Sequence, residues 1–509
     1  RLNWALIAIA FFVLLLAIIN YLSLNTARST LRSKEVVVKK ALGSGEGLLR
    51  FQFIGESLMI TTISFLLALT AIQLLSNPFS RVANINIDLA GYNQPIYWLT
   101  LIAALLLIGI MTGIYPAIIL TSFRTVTNNT KLNGVGFRRL MLTVQFSISI
   151  VLIISVITIL RQLQFAHNAD LGLRKDQVIF FDTPEFEQDD LYKETFRSSL
   201  LQYPNIHSVA YSGGAQIGEQ EVGARFIIGD SVQFFHWKNI EPEYLDVMDI
   251  QLVEGRKFSR DRPGDRVIIS KKFIMLMNET AAKRYWSNSP VGKTFLCPMP
   301  NKKDTIPCEI IGIVKDIHFR SLHHKVEPML YWWGQYQPNQ ISIKIESQSI
   351  PATIKNIEKE WKEVYGSEPF IYSFLDEEFA AQYESDERAA TIIGYFTILA
   401  ISIACMGLFA LSSFMAVRRT KEIGIRKSLG ASSKTIFIML SRDYIKWILL
   451  AAVIATPIAW WVMNKWLESF AYRVHIQPGW FVLAGSIALA LALLTVGTQA
   501  WRAARSNPV

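Results

Sequence analysis

Charge is scarce in this chain of 509 residues. Only 18% of the residues are Asp, Glu, Lys or Arg, whereas a typical soluble domain has about 25%. Hydrophobic residues make up 51% of the chain, and the mean hydropathy is +0.28. These values argue against an ordinary soluble multidomain protein. The 12% of aromatic residues excludes a chain that is disordered over most of its length.

Cysteine is also rare. Three cysteines exclude a scaffold that is held together by many disulfides. The net charge of +10 would fit a protein that binds nucleic acid. The basic residues lie in short loops between apolar runs, however, and do not form one cluster. We therefore expect no nucleic-acid partner.

Seven apolar runs are long enough to cross a membrane, which requires about 20 mostly apolar residues. None of them contains Asp, Glu, Lys or Arg. The sequence therefore predicts a membrane protein with seven helical spans. The predicted spans are Trp4–Leu24, Ser57–Leu75, Ile96–Leu120, Leu140–Leu160, Ala389–Phe414, Trp447–Met463 and Trp480–Ala500.

The region between the fourth and fifth runs has the composition of a soluble protein and several strand-like segments, so we expect a mixed α+β domain. Loops rich in Lys and Arg follow the first, third and fifth runs, and the positive-inside rule places these loops in the cytoplasm. The soluble domain then lies on the opposite side of the membrane. The predicted division is a first membrane module (1–137), a span with its stalk (138–160), the soluble domain (161–388) and a second membrane module (389–509).

The chain contains an internal repeat. KEVVVKKALGS at 34–44 matches KEIGIRKSLGA at 421–431, and each copy follows one span and precedes two more. Spans one to three therefore repeat as spans five to seven. Span four and the soluble domain have no counterpart ahead of the first module, and the topology places Arg1 outside. We therefore expect a further segment before Arg1, which would give four plus four spans and two soluble domains.

The repeated segment is predicted to be a short amphipathic helix. Glu35 and Glu422 each precede a basic residue by four positions, which is the favourable order for a helical ion pair. Gly43 and Gly430 stand where a helix ends in a left-handed residue. One interpretation is a basic helix that rests on anionic lipid. The other is a docking element, used twice by a partner that has two equal sites.

The repeated segments also carry a resemblance to a family. KEIGIRKSLGAS, the spans after it and the final SNPV resemble the FtsX-like, MacB-like permeases of ABC transporters. Within the soluble domain, YLDVMDIQLVEGRKFS (244–259), SPVGKTF (289–295) and IIGIVKDIHFRSLH (310–323) are similar to the periplasmic core domain of that family. The resemblance implies that both repeated segments are coupling helices that dock into ATPase subunits. The residues so assigned are Lys34, Glu35, Val38, Lys39, Leu42, Gly43, Lys421, Glu422, Ile425, Arg426, Leu429 and Gly430.

The resemblance also implies a function and a location. The chain would be an inner-membrane permease that transmits ATP-driven motion to its periplasmic domain and exports a drug, peptide or lipid-like cargo. Its partners would be two copies of a cytosolic ABC ATPase, membrane lipids and a periplasmic adaptor or cargo protein. ATP and Mg²⁺ would be used by the ATPase, and this chain would hold no cofactor. Lipoprotein extraction and signalling to a periplasmic enzyme are the open alternatives.

Other chemical motifs are weak. Gly292-Lys293-Thr294 has the end of a phosphate-binding loop but lacks its first glycine. His318, His323 and His324 could bind a metal, although the family-like context favours a structural role, and we predict neither a metal site nor a catalytic residue.

Cys297 and Cys308 flank a predicted hairpin turn. A disulfide between them is plausible in an oxidising periplasm, and two free thiols on opposite faces are the alternative.

Overall fold

The structure is a computed structural model that describes residues 2–83, 94–121, 131–184, 189–213, 223–267, 272–298, 305–334, 340–346, 348–418 and 420–505. It divides into two compact units. The first, the membrane unit, comprises Arg1–Gln162, Asp386–Leu467 and His475–Val509. The second, the soluble unit, comprises Leu163–Ser385 and Glu468–Val474. The sequence had assigned this last loop to the second membrane module.

Long helices form the membrane unit. They are α1 (Leu2–Ala41), α2 (Glu46–Ala83), α3 (Pro95–Thr121), α4 (Lys131–Asn168), α10 (Glu384–Arg418), α12 (Ser433–Leu467) and α13 (Pro478–Arg505), with the short α11 (Thr420–Ser428) between α10 and α12. Within the described residues, seven helices are long and apolar enough to cross a membrane. They contain the seven predicted spans, so the prediction of a seven-span membrane protein is confirmed.

Small residues bring the helices of each module close together. A Cβ on Gly109 of α3 would lie 2.6 Å from Leu58 Cδ2, and one on Gly113 would lie 2.9 Å from Ile54 Cα, so α2 and α3 touch through bare backbone. In the second module, alanines of α12 and α13 form one buried cluster with apolar residues of α4. Small side chains permit such close approach between helices in lipid. Close packing is needed there because the hydrophobic effect does not drive helices together in a lipid environment.

The soluble unit is a mixed α+β domain, as predicted. Its strands are β1 (Val178–Asp182), β2 (Ile206–Gly213), β3 (Gly223–Ile228), β4 (Ser231–Ile240), β5 (Leu252–Gly255), β6 (Arg266–Val267), β7 (Phe273–Asn278), β8 (Thr294–Pro298), β9 (Thr305–Val314), β10 (Met329–Gly334), β11 (Gln340–Ile345) and β12 (Ser373–Phe374). Its helices are α5 (Asp189–Leu200), α6 (Tyr244–Val247), α7 (Glu279–Tyr285), α8 (Ile350–Tyr365) and α9 (Leu375–Ala381).

One half of the soluble unit is a two-layer sandwich. Strands β12, β1, β11 and β2 pair antiparallel in that order. Alternate residues of β11, which are Ile341, Ile343 and Ile345, point to one face, as the two-residue period of a strand requires. They pack in one cluster with residues of α5 and α8, including the fully buried Phe196 and Trp361.

The other half is a closed ring of strands. β4 pairs with β3, β3 with β8, β8 with β9, β9 with β7, β7 with β10, and β10 returns to β4. Every strand of the ring contributes a buried residue to one apolar cluster, which includes Phe226, Phe235, Met275, Phe295 and Leu330. Closing a sheet into a ring pairs the backbone N–H and C=O groups of its edge strands. Side chains fill the interior here, as they do in small barrels.

Candidate functional site

The two copies of the repeated segment end in the same backbone conformation. Gly43 has φ +92° and Gly430 has φ +88°, which is the left-handed cap that the sequence predicts at both positions. The amide after each glycine bonds to a carbonyl five positions earlier, as in the Schellman motif. These bonds are Ser44 N to Lys39 O at 2.9 Å and Ala431 N to Arg426 O at 2.9 Å.

The predicted ion pairs are present in both copies. Glu35 Oε1 lies 2.9 Å from Lys39 Nζ, and Glu422 Oε1 lies 2.9 Å from Arg426 NH2. All four side chains are largely open to solvent, so each pair is worth only about 0.3 to 0.5 kcal/mol. The pairs therefore contribute little to the stability of the protein.

The apolar residues of the two copies are exposed to the same degree. Val38 is 56% exposed and its counterpart Ile425 is 54% exposed. Leu42 is 82% exposed and its counterpart Leu429 is 80% exposed. Each segment therefore presents an uncovered leucine at its tip, one turn from a second apolar side chain. The side chains of Lys34 and Lys421 lie outside the described residues.

The first copy is continuous with a span and is anchored to its module. It is the end of the 40-residue helix α1, and the buried Val36 anchors it to a cluster with Leu49, Phe53 and Ala117. The second copy lies on α11, which follows α10 in the chain.

A second constellation lies in the soluble unit, around the segment Lys315–His324, which we call the hub segment. Its first end contacts the chain that leaves α4. Lys315 Nζ lies 2.9 Å from Asp170 Oδ2, and His318 N donates to Leu171 O at 2.9 Å. A hydrogen bond from a backbone amide and the ion pair with Lys315 lower the pKa of Asp170.

The far end of the hub segment contacts two further connections. Leu322 N donates to the hydroxyl oxygen of the buried Tyr383 at 2.8 Å, immediately before α10 begins. Leu322 O accepts from Ala471 N at 3.0 Å and from Tyr472 N at 3.2 Å. These two residues belong to the loop Glu468–Val474, which connects α12 to α13.

Histidine side chains fasten this loop. The ring of His323 stacks on Phe470 with centroids 3.8 Å apart and an interplanar angle of 25°. His323 Nδ1 lies 2.9 Å from Ser469 O, so Nδ1 carries the proton because a carbonyl can only accept. His318 meets Tyr472 edge to face at 4.8 Å, and burial lowers the pKa of His318.

The hub segment therefore touches three chain connections that lead to spans, namely those after α4, before α10 and between α12 and α13. His318 and His323 pack against aromatic rings, and His324 Nε2 lies 3.1 Å from Arg320 NH2. Among the described residues no group of three His, Cys, Asp or Glu side chains could hold a metal ion. The nearby Asp316 instead accepts from Thr280 N at 2.8 Å and Thr280 Oγ1 at 2.7 Å, at the start of α7.

The incomplete phosphate loop forms a turn of the sheet. Gly292 has φ +81°, its N–H donates to Ile310 O at 2.8 Å, and Lys293 O accepts from Ile310 N at 3.1 Å. These backbone groups pair with β9, so they are not free to cradle a phosphate in the way a nucleotide-binding loop requires.

The two cysteines of the hairpin lie on neighbouring strands. Phe295 is opposite Cys308, and Cys297 is opposite Ile306. Cys297 and Cys308 are thus diagonal neighbours on one face, and the alternative of opposite faces is wrong. Both are thiols in this structure. Their mutual hydrogen bond and burial raise the pKa of Cys308 well above that of an ordinary thiol, whereas the same bond lowers the pKa of Cys297. The disulfide stays a prediction.

We predict that this pair is oxidised in the protein isolated from the cell. Alkylation of the unreduced, denatured chain should then modify only Cys405, and reduction should lower the free energy of unfolding by about 2 to 3 kcal/mol. Mass spectrometry of the alkylated chain gives the number of modified cysteines. Modification at Cys297 and Cys308 without reductant would show that no bond forms.

Two family models match the chain. The model of the FtsX-like permease C-terminal region matches residues 7–124 and again 394–508. The model of the MacB-like periplasmic core domain matches residues 141–359, between the two. The chain belongs to the FtsX-like, MacB-like family of ABC transporter permeases. It is accordingly a multi-pass inner-membrane protein, and its soluble unit is a periplasmic domain.

Relatives with assigned names are distant. The macrolide export ATP-binding/permease protein MacB of Burkholderia cenocepacia is 20% identical over 261 residues, which are 49% of this chain and 33% of that protein. The probable syringafactin export ATP-binding/permease protein SyfD of Pseudomonas syringae is 22% identical over 212 residues, 39% of this chain and 30% of that protein. The chain thus spans about a third of the length of the curated relatives it matches.

Solved structures match parts of the chain. The periplasmic region of MacB from Actinobacillus actinomycetemcomitans is 18% identical with a TM-score of 0.29, covering 40% of this chain and 92% of that one. The extracellular domain of the transporter YknZ from Gram-positive bacteria is 16% identical with a TM-score of 0.27, covering 38% of this chain and 97% of that one.

Proposed function

We propose that this permease converts the closure of two ATPase subunits into movement of its periplasmic domain, through the segments 34–43 and 421–430. The observation that carries the proposal is the matched exposure of Leu42 and Leu429 at the tips of twin helices. A helix that only rests on lipid has no need of an identical tip in two modules. A partner with two equal sites does need it, because each site must receive the same apolar side chain.

The charged residues beside each tip favour docking into a polar-rimmed cleft. Each leucine is flanked by a helical ion pair, which keeps the basic side chain along the helix and away from the tip. Interfaces of this kind bury an apolar anchor at the centre and leave charged groups at the rim. ATP and Mg²⁺ would be bound by the ATPase subunits. This chain would contribute only the two docking helices to the contact with those subunits.

Movement of the segments 34–43 and 421–430 would be transmitted to the periplasmic domain through the hub segment. α1 and α11 belong to the membrane unit, and the three connections at Lys315–His324 are the continuations of α4, α10, α12 and α13. A shift of these spans would therefore act on one place in the periplasmic domain. The proposed cargo is a drug, a peptide or a lipid-like molecule, since the relatives named above are macrolide and syringafactin exporters. It would be handled in the periplasm with a partner protein.

Subunit stoichiometry tests this function. The full chain purified in nanodiscs with its ATPase should bind two ATPase copies by native mass spectrometry, and ATP with Mg²⁺ should be hydrolysed by those copies. Cross-linked peptides, cargo and adaptor proteins can be identified in the same preparation. A single ATPase copy, or none, would contradict the proposal.

The two docking sites are expected to differ in sensitivity. Leu429→Asp should weaken ATPase binding more than Leu42→Asp, because the buried Val36 anchors the first segment to its module. The sequence points the same way, since Gly424 leaves the backbone of the second segment open to close approach where the first has Val37. Titration of the ATPase onto each single variant measures the two affinities. Equal losses would show that the sites are equivalent.

A further inference from the structure

The two membrane modules meet at positions that are equivalent in the repeat. A residue of α1 has its counterpart in α10 387 positions later, as Lys421 is the counterpart of Lys34. By this relation Asn20 corresponds to Gly407, and Leu16 corresponds to Ile403. Asn20 Nδ2 donates to Ile403 O at 3.4 Å. A Cβ placed on Gly407 would lie 2.2 Å from Asn20 Oδ1.

Apolar contacts repeat this relation one turn away. Leu16 is completely buried and shares a cluster with Ala400 and Leu152, against which Ile403 packs. Both pairs of counterparts therefore lie at one crossing of α1 over α10. Self-complementary contact, in which a residue meets its own equivalent, is the property of a twofold interface. The crossing thus lies on the pseudo-twofold axis that relates the modules.

Two polar atoms at the crossing have no hydrogen-bond partner among the described residues. They are Asn20 Oδ1 and Gln145 Nε2, both buried, and the Gln145 side chain, on α4, is 3% exposed. The position that a Cβ on Gly407 would take lies 2.2 Å from the first atom and 3.4 Å from the second. An acceptor and a donor therefore border the same point beside Gly407. All three residues lie inside predicted spans, where an unpaired polar group is costly.

Replacing both groups by apolar side chains would remove that cost, so a merely static contact gives no reason for an amide pair here. We propose that Asn20, Gly407 and Gln145 form a polar pivot between the modules, with two alternative hydrogen bonds. In the arrangement described here Asn20 donates to Ile403 O. In the other arrangement α1 has turned against α10, and Asn20 Oδ1 accepts from Gln145 Nε2. This pivot rests on the proposed function, which supplies the motion.

The two arrangements of the pivot differ in the hydrogen bond that Asn20 makes, so their relative populations can be shifted. A ligand or nucleotide can shift an equilibrium only through contacts that differ between its states, and each arrangement here keeps one amide bond that the other lacks. Gly407 is required because any side chain at that position would push Asn20 aside. The missing Cβ thus gives Asn20 the space in which to exchange its partner.

The geometry of the pivot can be tested without the ATPase. Gly407→Ala should lower the Tm of the full chain in detergent, because the new methyl group displaces Asn20 from Ile403 O. Gly394→Ala on the same helix is the matched control, since a Cβ there meets no atom within 4 Å. The double variant Asn20→Ala/Gly407→Ala should recover the loss. Equal Tm values for Gly407→Ala and Gly394→Ala would overturn the contact.

The exchange of partners is tested by motion. Spin labels at Leu48 and Thr435, which are exposed counterparts at the cytoplasmic ends of α2 and α12, report the distance between modules in nanodiscs with the ATPase, with and without ATP and Mg²⁺. Gln145→Leu should keep or raise the Tm, because it removes an unpaired donor, and should reduce the ATP-dependent distance change at least about threefold. Wild-type movement that persists fully in Gln145→Leu would overturn the pivot alone. Absence of movement in the wild-type chain would remove both the pivot and the proposed function.

Discussion

The double variant Leu42→Asp/Leu429→Asp is expected to reach the membrane at the wild-type level and to lose its ATPase. Each aspartate would have to enter the cleft that the exposed leucine fills, and a buried unpaired charge is strongly unfavourable. Loss of one interface anchor costs about 2 kcal/mol or more, which is roughly a 30-fold change in affinity for each site. Affinity purification of the full chain, followed by quantification of the bound ATPase, measures the effect.

Two matched variants separate docking from other causes. Leu42→Met/Leu429→Met keeps the volume and apolar character of both tips and should bind ATPase normally, since such exchanges usually cost below about 1.5 kcal/mol. Glu35→Ala/Glu422→Ala removes only two exposed ion pairs and should have a small effect, about 0.3 to 0.5 kcal/mol at each site. Full recruitment of ATPase by the double aspartate variant would leave only the interpretation of a basic helix on lipid.

Much of this architecture follows from local sequence pattern. The spans were predictable because uncharged apolar runs of sufficient length have no other stable environment than lipid. The left-handed caps at Gly43 and Gly430 were predictable because only glycine adopts that conformation without cost. The ion pairs of the two segments depend on residues four positions apart. In each case the interaction that decides the structure lies within a few residues along the chain.

Long-range features were not predictable in the same way. The closed ring depends on the pairing of β10 with β4, and nothing in either strand specifies a partner so distant in sequence. The loop Glu468–Val474 was assigned to the membrane module because it connects two spans, yet its backbone pairs with Leu322. The unusual density of histidine and aromatic residues in HFRSLHH (318–324) and SFAYR (469–473) is the one signal that could have linked the two segments.

The crossing of α1 and α10 could be predicted from the sequence only in part. Neither Asn20 nor Gly407 belongs to a sequence motif, although a glycine within a span, such as Gly407, permits close approach between helices. The repeat nevertheless relates them, since both occupy the same place in their modules. Contact between counterparts follows only if the two helices cross on the axis, and that is a property of the folded membrane unit. The repeat thus relates the two positions, and the fold of the membrane unit brings them into contact.

Detachment of the α12–α13 loop from the hub segment should uncouple the periplasmic domain from the spans. Phe470 is 3% exposed and stacks on His323, so Phe470→Ala removes both its burial and its ring contact. Truncation of a buried phenylalanine costs about 3 kcal/mol or more, which is a change of about 150-fold in the ratio of attached to detached loop. Amide hydrogen exchange at Ala471 and Tyr472 should accelerate by a similar factor, because these two amides bond to Leu322 O.

The consequence for function depends on whether motion passes through this loop. Phe470→Ala should bind ATPase like the wild-type chain, since the coupling segments are untouched, and should lose the ATP-dependent movement of the periplasmic domain. Phe295→Ala is the matched control, because Phe295 is also a buried phenylalanine, 4% exposed, but packs on β8 within the ring of strands and not against the hub segment. Spin labels within the domain and hydrogen exchange are measured on the same samples. If the loop detaches in Phe470→Ala while the ATP-dependent movement is unchanged, this connection carries no force, and the transmission must run through the connections of α4 and α10.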